Sequence, residues 1–159
     1  MLEPEYIQEL FQLAKQDRLT TLIDSNGTIA FEKYPDLLAV TDGVMLDIKA
    51  FSNQDHEKIT DATNQVVLEN AKYLGSAGKL YEVRAVIVPD LYNGTESVTQ
   101  MGEFLLTFLK IKEFRIKLIA FRPMGVRKEY QHFKVPDREY LESLAEVLKK
   151  QGFKDIIII

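Results

Sequence analysis

Two oppositely charged side chains stand two positions apart at the end of an apolar run. Asp47 and Lys49 close the run at 44–48, and the turn-forming pair Asp42 and Gly43 precedes it. Side chains alternate faces on a strand, so this spacing places the carboxylate and the ammonium on the same face. At the carboxyl end of a buried parallel strand, the pair would lie where α/β proteins bind ligands. An ordinary ion pair at a strand end is the alternative interpretation.

Polar side chains also accompany the other apolar runs of the chain. These side chains are Asp24, Ser25 and Asn26 after the run at 19–23, Arg84 inside the run at 79–88, and Arg122 just after the run at 113–121. Because parallel strands end at the same edge of a sheet, we expect these groups to meet at one rim. Carboxylates beside an ammonium and two guanidiniums suit a small zwitterion. The oxygens of Asp24, Ser25 and Asp47 would suit a sodium, potassium or magnesium ion.

Each of these residues also has a purely structural interpretation. Arg84 could form an ion pair with a carboxylate of the core, since a buried guanidinium needs a partner. Ser25 and Asn26 precede Gly27 and are good turn formers. In the structural interpretation, Arg122 is the first residue of a solvated loop at 122–136. The length of this loop nevertheless suggests a function.

The elements that position these residues follow from apolar periodicity. Helices are predicted at 4–17, 31–40, 52–59, 63–74, 96–109 and 137–150, with Ser52 or Asn53 and Thr63 or Asn64 as caps of the third and fourth. Strands are predicted at 19–23, 44–48, 79–88, 113–121 and 156–159. The alternation predicts an α/β fold with four parallel strands, flanking helices and a short carboxyl-terminal strand. We expect one domain spanning residues 1–159.

Composition excludes several classes of function. The chain has 159 residues, a net charge of −4 and no cysteine, so disulfides, thiolate metal sites and cysteine nucleophiles are excluded. Nucleic-acid binding needs a clustered basic surface, and the composition of this acidic chain does not indicate one. No apolar run reaches the ~20 residues of a membrane span, and the acidic first residues lack a signal-peptide pattern. We therefore expect a cytoplasmic protein that binds neither nucleic acid nor a membrane.

Four segments resemble the pyruvate formate-lyase activating enzymes, and they occur in the same order along nearly the whole chain. They are 23–27 (IDSNG), 41–49 (TDGVMLDIK), 70–74 (NAKYL) and 83–89 (VRAVIVP). The resemblance implies a radical S-adenosylmethionine (SAM) enzyme on a partial (β/α) barrel, of which this chain would supply strands three to six, the carboxyl-terminal part. In that family, an iron–sulfur cluster held by three cysteines cleaves SAM reductively. The resulting deoxyadenosyl radical removes hydrogen from a glycine of a partner glycyl-radical enzyme such as pyruvate formate-lyase.

The resemblance also implies roles for individual residues. Asp47 and Lys49 match positions that hold the ribose and methionyl groups of SAM, and Arg122 lies where a family histidine approaches the ribose. Arg84 matches an arginine that faces the glycine loop of the partner. For a monovalent cation beside the SAM carboxylate, the implied ligands are Asp24, Ser25, Asp47 and Ile48.

Two departures from the family pattern limit what this chain is expected to do. Arg122 replaces the histidine, and the cluster cysteines and the first two strands are missing. A chain without cysteine cannot hold a thiolate-bound iron–sulfur cluster, so we expect it to be inactive alone and to need a separate amino-terminal segment. The strand at 19–23 would then lack a neighbour, and an open sheet edge favours self-association.

Two other functions fit the same residues. Lys49 could form a Schiff base in an aldolase-like enzyme, although the chain is shorter than the ~250 residues of a full barrel. Alternatively, the chain could be a non-catalytic interaction module, in which the segment at 122–136 docks a glycyl-radical enzyme or a regulator.

Overall fold

Six α-helices and five β-strands alternate along the described residues, which are 3–109 and 115–159 in this computed structural model. The helices are α1 (Pro4–Gln16), α2 (Pro35–Ala39), α3 (Asn53–Thr60), α4 (Gln65–Ser76), α5 (Gly94–Leu106) and α6 (Arg138–Lys150). The strands are β1 (Leu22–Ser25), β2 (Gly43–Asp47), β3 (Leu80–Ile87), β4 (Arg115–Ala120) and β5 (Ile156–Ile158). Residues 113 and 114 of the fourth predicted strand lie outside the described part. Among the described residues, no helix combines the length and apolar character needed to cross a bilayer.

The five strands form one parallel sheet in the order β1-β2-β3-β4-β5. Each strand returns to its neighbour through at least one helix, which is the arrangement of an open (β/α) barrel. Leu46, Val83 and Leu118 are completely buried in a core that they share with the helices. The helices thus cover one face of the sheet and leave the other face for polar groups. This confirms the predicted fold class.

The first strand lies further along the chain than the predicted run at 19–23. The N–H of Leu19 still bonds to a carbonyl in the last turn of α1, and Arg18 has a positive φ of 59°. Pairing with β2 starts only after this turn is complete. As a result, Asp24 and Ser25 lie within β1 and not beyond its end, so their side chains point to opposite faces of the sheet.

The helix predicted at 31–40 is divided into two parts. A 3₁₀ turn covers Phe31–Lys33, and α2 begins at Pro35. Tyr34 between them has φ −127° and ψ 58° because the ring of Pro35 disfavours a helical backbone in the preceding residue.

The two predicted helix caps differ in the structure. The hydroxyl of Ser52 accepts the N–H of Asp55 at 3.1 Å and caps α3 as predicted. Asn64 occupies the cap position of α4, but its side chain makes no cap bond. Its amide nitrogen instead donates to the carbonyl of Phe51 at 2.5 Å, which ties α4 to the segment after β2.

The buried side chain of Asn70 ties α4 to the loop that follows β1. Its amide oxygen accepts the N–H of Phe31 at 2.9 Å, and its amide nitrogen donates to the carbonyls of Gly27 and Ile29 at 2.9 and 2.6 Å. Buried backbone groups need such partners because water does not reach them. One side chain therefore fixes the loop that continues from the end of β1.

Replacing Asn70 by alanine should lower the free energy of unfolding by about 3 kcal/mol, because three backbone groups lose their partner. Urea unfolding followed by circular dichroism measures this loss. Gln65→Ala, at an exposed position on the same helix, is the matched control and should change stability by less than about 0.5 kcal/mol. Equal losses in the two variants would contradict a special role for Asn70.

Candidate functional site

Charged side chains from three adjacent strands share the face of the sheet that the helices leave open. Alternation places Asp24 of β1, Asp47 of β2 and Arg84 of β3 on this face, because Leu46 and Val83 beside them are buried against the helices. The strand register sets Asp47 opposite Arg84. The structure therefore brings these three predicted site residues onto one surface.

Arg84 is the centre of this charged surface. Its Nη1 atom donates to Asp24 at 2.6 Å and its Nε atom donates to Glu82 at 2.5 Å, while Nη2 lies 2.9 Å from the sulfur of Met45. Burial by itself lowers the pKa of Arg84, but the bonds to Glu82 and Asp24 outweigh it and raise this pKa above its ordinary value. The guanidinium is therefore a permanent cation with a fixed orientation.

Glu82 links Arg84 to the next strand. Its side chain is only 1% exposed, and its Oε1 atom accepts from Arg84 and, at 2.9 Å, from Lys117 of β4. Burial raises the pKa of Glu82, but the bonds from Arg84 and Lys117 outweigh burial and hold this pKa below its ordinary value. Glu82 is the core carboxylate that the structural interpretation of Arg84 required.

Sequence reasoning missed Glu82 and Lys117 as parts of this surface. The spacing of two between Glu82 and Arg84 is the same signal that singled out Asp47 and Lys49. Lys117 could not be assigned from the sequence, because its position opposite Arg84 depends on the register between β3 and β4.

Asp47 and Lys49 form the predicted ion pair, with Nζ 2.7 Å from Oδ2. Their side chains are 20% and 30% exposed, so both remain accessible to a small ligand. Ile48 between them is buried, and its N–H donates to the carbonyl of Arg84 at 2.8 Å. That backbone bond fixes the strand end and the direction of the two charged side chains.

Lys49 borders two cavities at the carboxyl edge of the sheet. The first, called here the aromatic cavity, has a volume of about 320 Å³. Val86, Val88 and Phe121 from the ends of β3 and β4 line it, together with Val126, Tyr130 and Phe133 from the segment at 122–136. The second, called here the α3–α4 cavity, has a volume of about 360 Å³ and is lined by Asn26, Thr28, His56 and Thr60 together with the apolar side chains of Val66 and Val67.

His56 is a buried imidazole beside Lys49 that sequence reasoning did not assign. Burial lowers the pKa of His56, the bond to the carbonyl of Ala50 opposes this, and the charge of Lys49 lowers it further, so the net shift is downward. Nδ1 has no hydrogen-bond partner among the described residues. No sequence signal distinguishes His56 from any other helical residue, because its burial depends on how α3 packs.

Two of the predicted site residues do not join the charged surface. Ser25 is buried on the opposite face of β1 from Asp24, and its Oγ atom accepts the N–H of Gly27 at 3.0 Å. Arg122 is exposed and forms no ion pair with any described residue. Within residues 3–109 and 115–159, no group of three or more His, Asp or Glu side chains is arranged to hold a metal ion.

Sequence comparison identifies pyruvate formate-lyase-activating enzymes as relatives. The Streptococcus mutans enzyme is 34% identical over 130 residues, which cover 78% of this chain and 49% of that enzyme. The pyruvate formate-lyase 1-activating enzyme of Escherichia coli K12 is 29% identical across 97% of this chain and 66% of its own length. The chain thus spans between half and two thirds of these curated relatives. No protein-family model matches it.

Structural comparison shows the same fold in solved structures. A domain of a pyruvate-formate lyase-activating enzyme from Bacteroides vulgatus matches 99% of this chain and 92% of its own, with a TM-score of 0.83 and 18% identity. SuiB of Streptococcus suis bound to S-adenosylmethionine matches 98% of this chain and 36% of its own, with a TM-score of 0.71 and 15% identity. At these identities the likeness establishes the fold alone.

Replacing Glu82 by glutamine should lower the free energy of unfolding at neutral pH by about 2 kcal/mol, because Arg84 and Lys117 lose their common carboxylate. The pKa of Glu82 is lower in the folded protein, so the carboxylate stabilises the fold above its unfolded pKa of about 4.3. That contribution is lost as the pH falls through the folded pKa. The stabilities of the wild type and the variant should therefore converge in acid.

Urea unfolding at a series of pH values measures this convergence. Glu103→Gln removes an exposed carboxylate and controls for the general effect of one charge. A difference between wild type and Glu82→Gln that stays constant down to about pH 3 would contradict an ionised Glu82.

Proposed function

We propose that this chain, a homologue of pyruvate formate-lyase-activating enzymes, is the carboxyl-terminal part of a radical SAM activating enzyme and supplies one side of its SAM site. The observation that carries the proposal is the Asp47–Lys49 pair, fixed at a strand end between two cavities. The sequence relationship to the Streptococcus mutans and Escherichia coli enzymes supports it. Residues 1–159 form a single domain in this proposal.

The geometry around Lys49 fits the two chemically different ends of SAM. The apolar and aromatic walls of the aromatic cavity suit the adenine ring, which gains from contact with Phe121 and Tyr130. In the α3–α4 cavity, the amide of Asn26 and the hydroxyls of Thr28 and Thr60 suit the zwitterionic methionyl group, and the apolar wall suits its methylene groups. Asp47 would accept from the ribose hydroxyls, and Lys49 would donate to the methionyl carboxylate. Arg122 would approach the ribose from the segment at 122–136.

SAM, when bound and reduced, supplies a deoxyadenosyl radical, and the chain's own residues bind and orient it. Arg84, held by Glu82 and Asp24, would face the glycine loop of a partner glycyl-radical enzyme such as pyruvate formate-lyase. A guanidinium fixed by two carboxylates positions a loop well because little rotamer freedom remains to be lost.

A monovalent cation beside the SAM carboxylate belongs to the proposal through the family resemblance alone. The resemblance implies Asp24, Ser25, Asp47 and Ile48 as its ligands, but the side chain of Ser25 lies on the opposite face of β1 from Asp24 and is not proposed to reach it. Since Asp24 is engaged by Arg84, the cation would have to share or replace that contact.

The residues of this chain do not fit an iron–sulfur cluster, because the chain has no cysteine. The reduction of SAM therefore has to come from another polypeptide segment, and the chain is proposed to be inactive alone. The open edge of β1 is the proposed attachment point. A groove of about 530 Å³ lies between α1 and β1, and Tyr6, which lines it, is 64% exposed. An apolar groove beside an unpaired strand edge favours pairing with a strand from another polypeptide. If no such strand is present, the same edge favours self-association of the chain.

The Schiff-base alternative gains no specific observation. Lys49 is held by the carboxylate of Asp47, an arrangement that does not favour a Schiff-base nucleophile. The interaction-module alternative depends on the segment at 122–136, whose packing is compatible with either function.

Lys49→Met should weaken SAM binding by about tenfold, because the methionyl carboxylate loses its cation (~1.4 kcal/mol). Isothermal titration of the purified 159-residue chain with SAM measures this change. Lys72→Met, on the exposed side of α4, is the control and should bind like the wild type. Unchanged affinity in Lys49→Met would remove Lys49 from the SAM site.

Anaerobic incubation of the chain with iron and sulfide alone should give no four-iron cluster and no SAM cleavage. Adding the amino-terminal segment of the Escherichia coli relative as a separate polypeptide, with dithionite as the one-electron reductant, should restore cleavage, measured as deoxyadenosine; dithionite with the chain alone is the control. A cluster formed by this chain alone would contradict the proposed division. Failure of the added segment, with SAM still bound by the chain, would contradict its role as a complementary part.

A further inference from the structure

The segment at 122–136 differs in charge from the rest of the molecule. It contains four Lys or Arg residues and one Glu, a net charge of +3, in a chain of net charge −4. The remainder of the chain therefore carries −7. This concentration of positive charge lies on one loop at the carboxyl edge of the sheet.

The cations of this loop are not used within the fold. Arg122, Arg127, Lys128 and Lys134 are exposed, and none forms an ion pair with any residue of the described ranges. The basic residues of the sheet differ in this respect, since Arg84 and Lys117 are both paired with Glu82. The loop cations thus remain available to an external anion.

The loop is nevertheless fixed in place. The ring of Phe133 packs edge-on against Phe121 at 6.1 Å and stacks on Tyr130 at 6.0 Å. The N–H of Lys134 donates to the carboxylate of Asp90 at 2.5 Å. A surface held in this way loses little conformational entropy when a partner binds.

Apolar side chains are exposed between these cations. Met124 is 86% exposed beside Arg122, and Val135 is 47% exposed beside Lys134. Gly125, with φ +80° and no atom near its Cβ position, forms the turn that presents Met124. Exposed apolar side chains that lie beside charged ones along a loop are typical of a protein-binding surface.

We propose that this loop surface, formed by Met124, Arg127, Lys128 and Lys134, docks an acidic polypeptide segment of a partner protein. Carboxylates of that segment pair with the loop cations, and an apolar side chain of the segment covers Met124. Complementary charge is the argument for this occupant, since the loop carries a net charge of +3 whereas the remainder of the chain carries −7. A nucleic acid is disfavoured because the basic area is confined to one loop of an acidic protein.

The docking surface goes beyond the proposed SAM function and does not depend on it. It is tested by fluorescence anisotropy with a labelled peptide rich in Asp and Glu around a central Leu-Phe pair. The 159-residue chain should bind this peptide at low ionic strength, and binding should weaken strongly at about 0.5 M salt. The same peptide with Asn and Gln in place of its acids should not bind.

Two double variants with the same change in net charge locate the site. Arg127→Glu with Lys128→Glu should weaken peptide binding by about tenfold or more, whereas Lys150→Glu with Lys154→Glu, at exposed positions outside the loop, should have little effect. Met124→Ser, which leaves the charges intact, should also weaken binding. SAM affinity should stay unchanged in the loop variant, which separates this result from the proposed function.

Three results would overturn the proposal. They are no binding of the acidic peptide, an equal loss in the two double variants, and tighter binding of a labelled single-stranded RNA than of the peptide at the same salt. The last result would assign the surface to nucleic acid.

Discussion

The buried carboxylate of Glu82 is the interaction on which the open face of the sheet depends. A charge that is removed from water must be compensated, and Glu82 is compensated by Arg84 on its own strand and by Lys117 on the next. Arg84 in turn reaches back across the sheet to Asp24. The four residues form a chain of alternating charge from β1 to β4. The site therefore has charged walls whose side chains keep little freedom to move.

The parallel arrangement explains why this row of charged side chains lies beside the carboxyl edge of the sheet, where we propose that a ligand binds. Helices cover one face, so the charged side chains of the central strands, Asp47, Glu82, Arg84 and Lys117, point to the other. The same arrangement leaves β1 with one neighbour among the described residues, and its apolar groove remains exposed. Both properties follow from a barrel that is not closed. An open barrel gains access for a large partner and loses the protection that closure gives to its edge strands.

The fold and part of the site could be predicted from the sequence because both depend on local patterns. The order of strands and helices follows from periodicity, and the common face of Asp47 and Lys49 follows from their spacing. Relations between strands could not be predicted in the same way. The pairing of Lys117 with Glu82 needs the register, and the burial of His56 needs the packing of α3.

The error in the predicted bounds of the first strand also affects the predicted positions of two site residues. A shift of β1 puts Asp24 and Ser25 on opposite faces, because the side-chain period of a strand is two. The sequence pattern around 19–23 is rich in β-forming residues, but the end of α1 occupies its first part. A propensity cannot reveal that a preceding helix extends into the run. The sequence therefore predicted a strand next to these residues but did not predict the faces of the sheet on which Asp24 and Ser25 lie.

The charged face also restricts what can bind there. Asp24, Asp47 and Glu82 are balanced by Lys49, Arg84 and Lys117, so each charge already has a partner. A simple anion that entered would leave one of these groups unpaired, at a cost in desolvation. A zwitterion brings its own compensating charge. This balance favours an amino-acid-like group over a simple anion as the ligand that we propose next to Lys49.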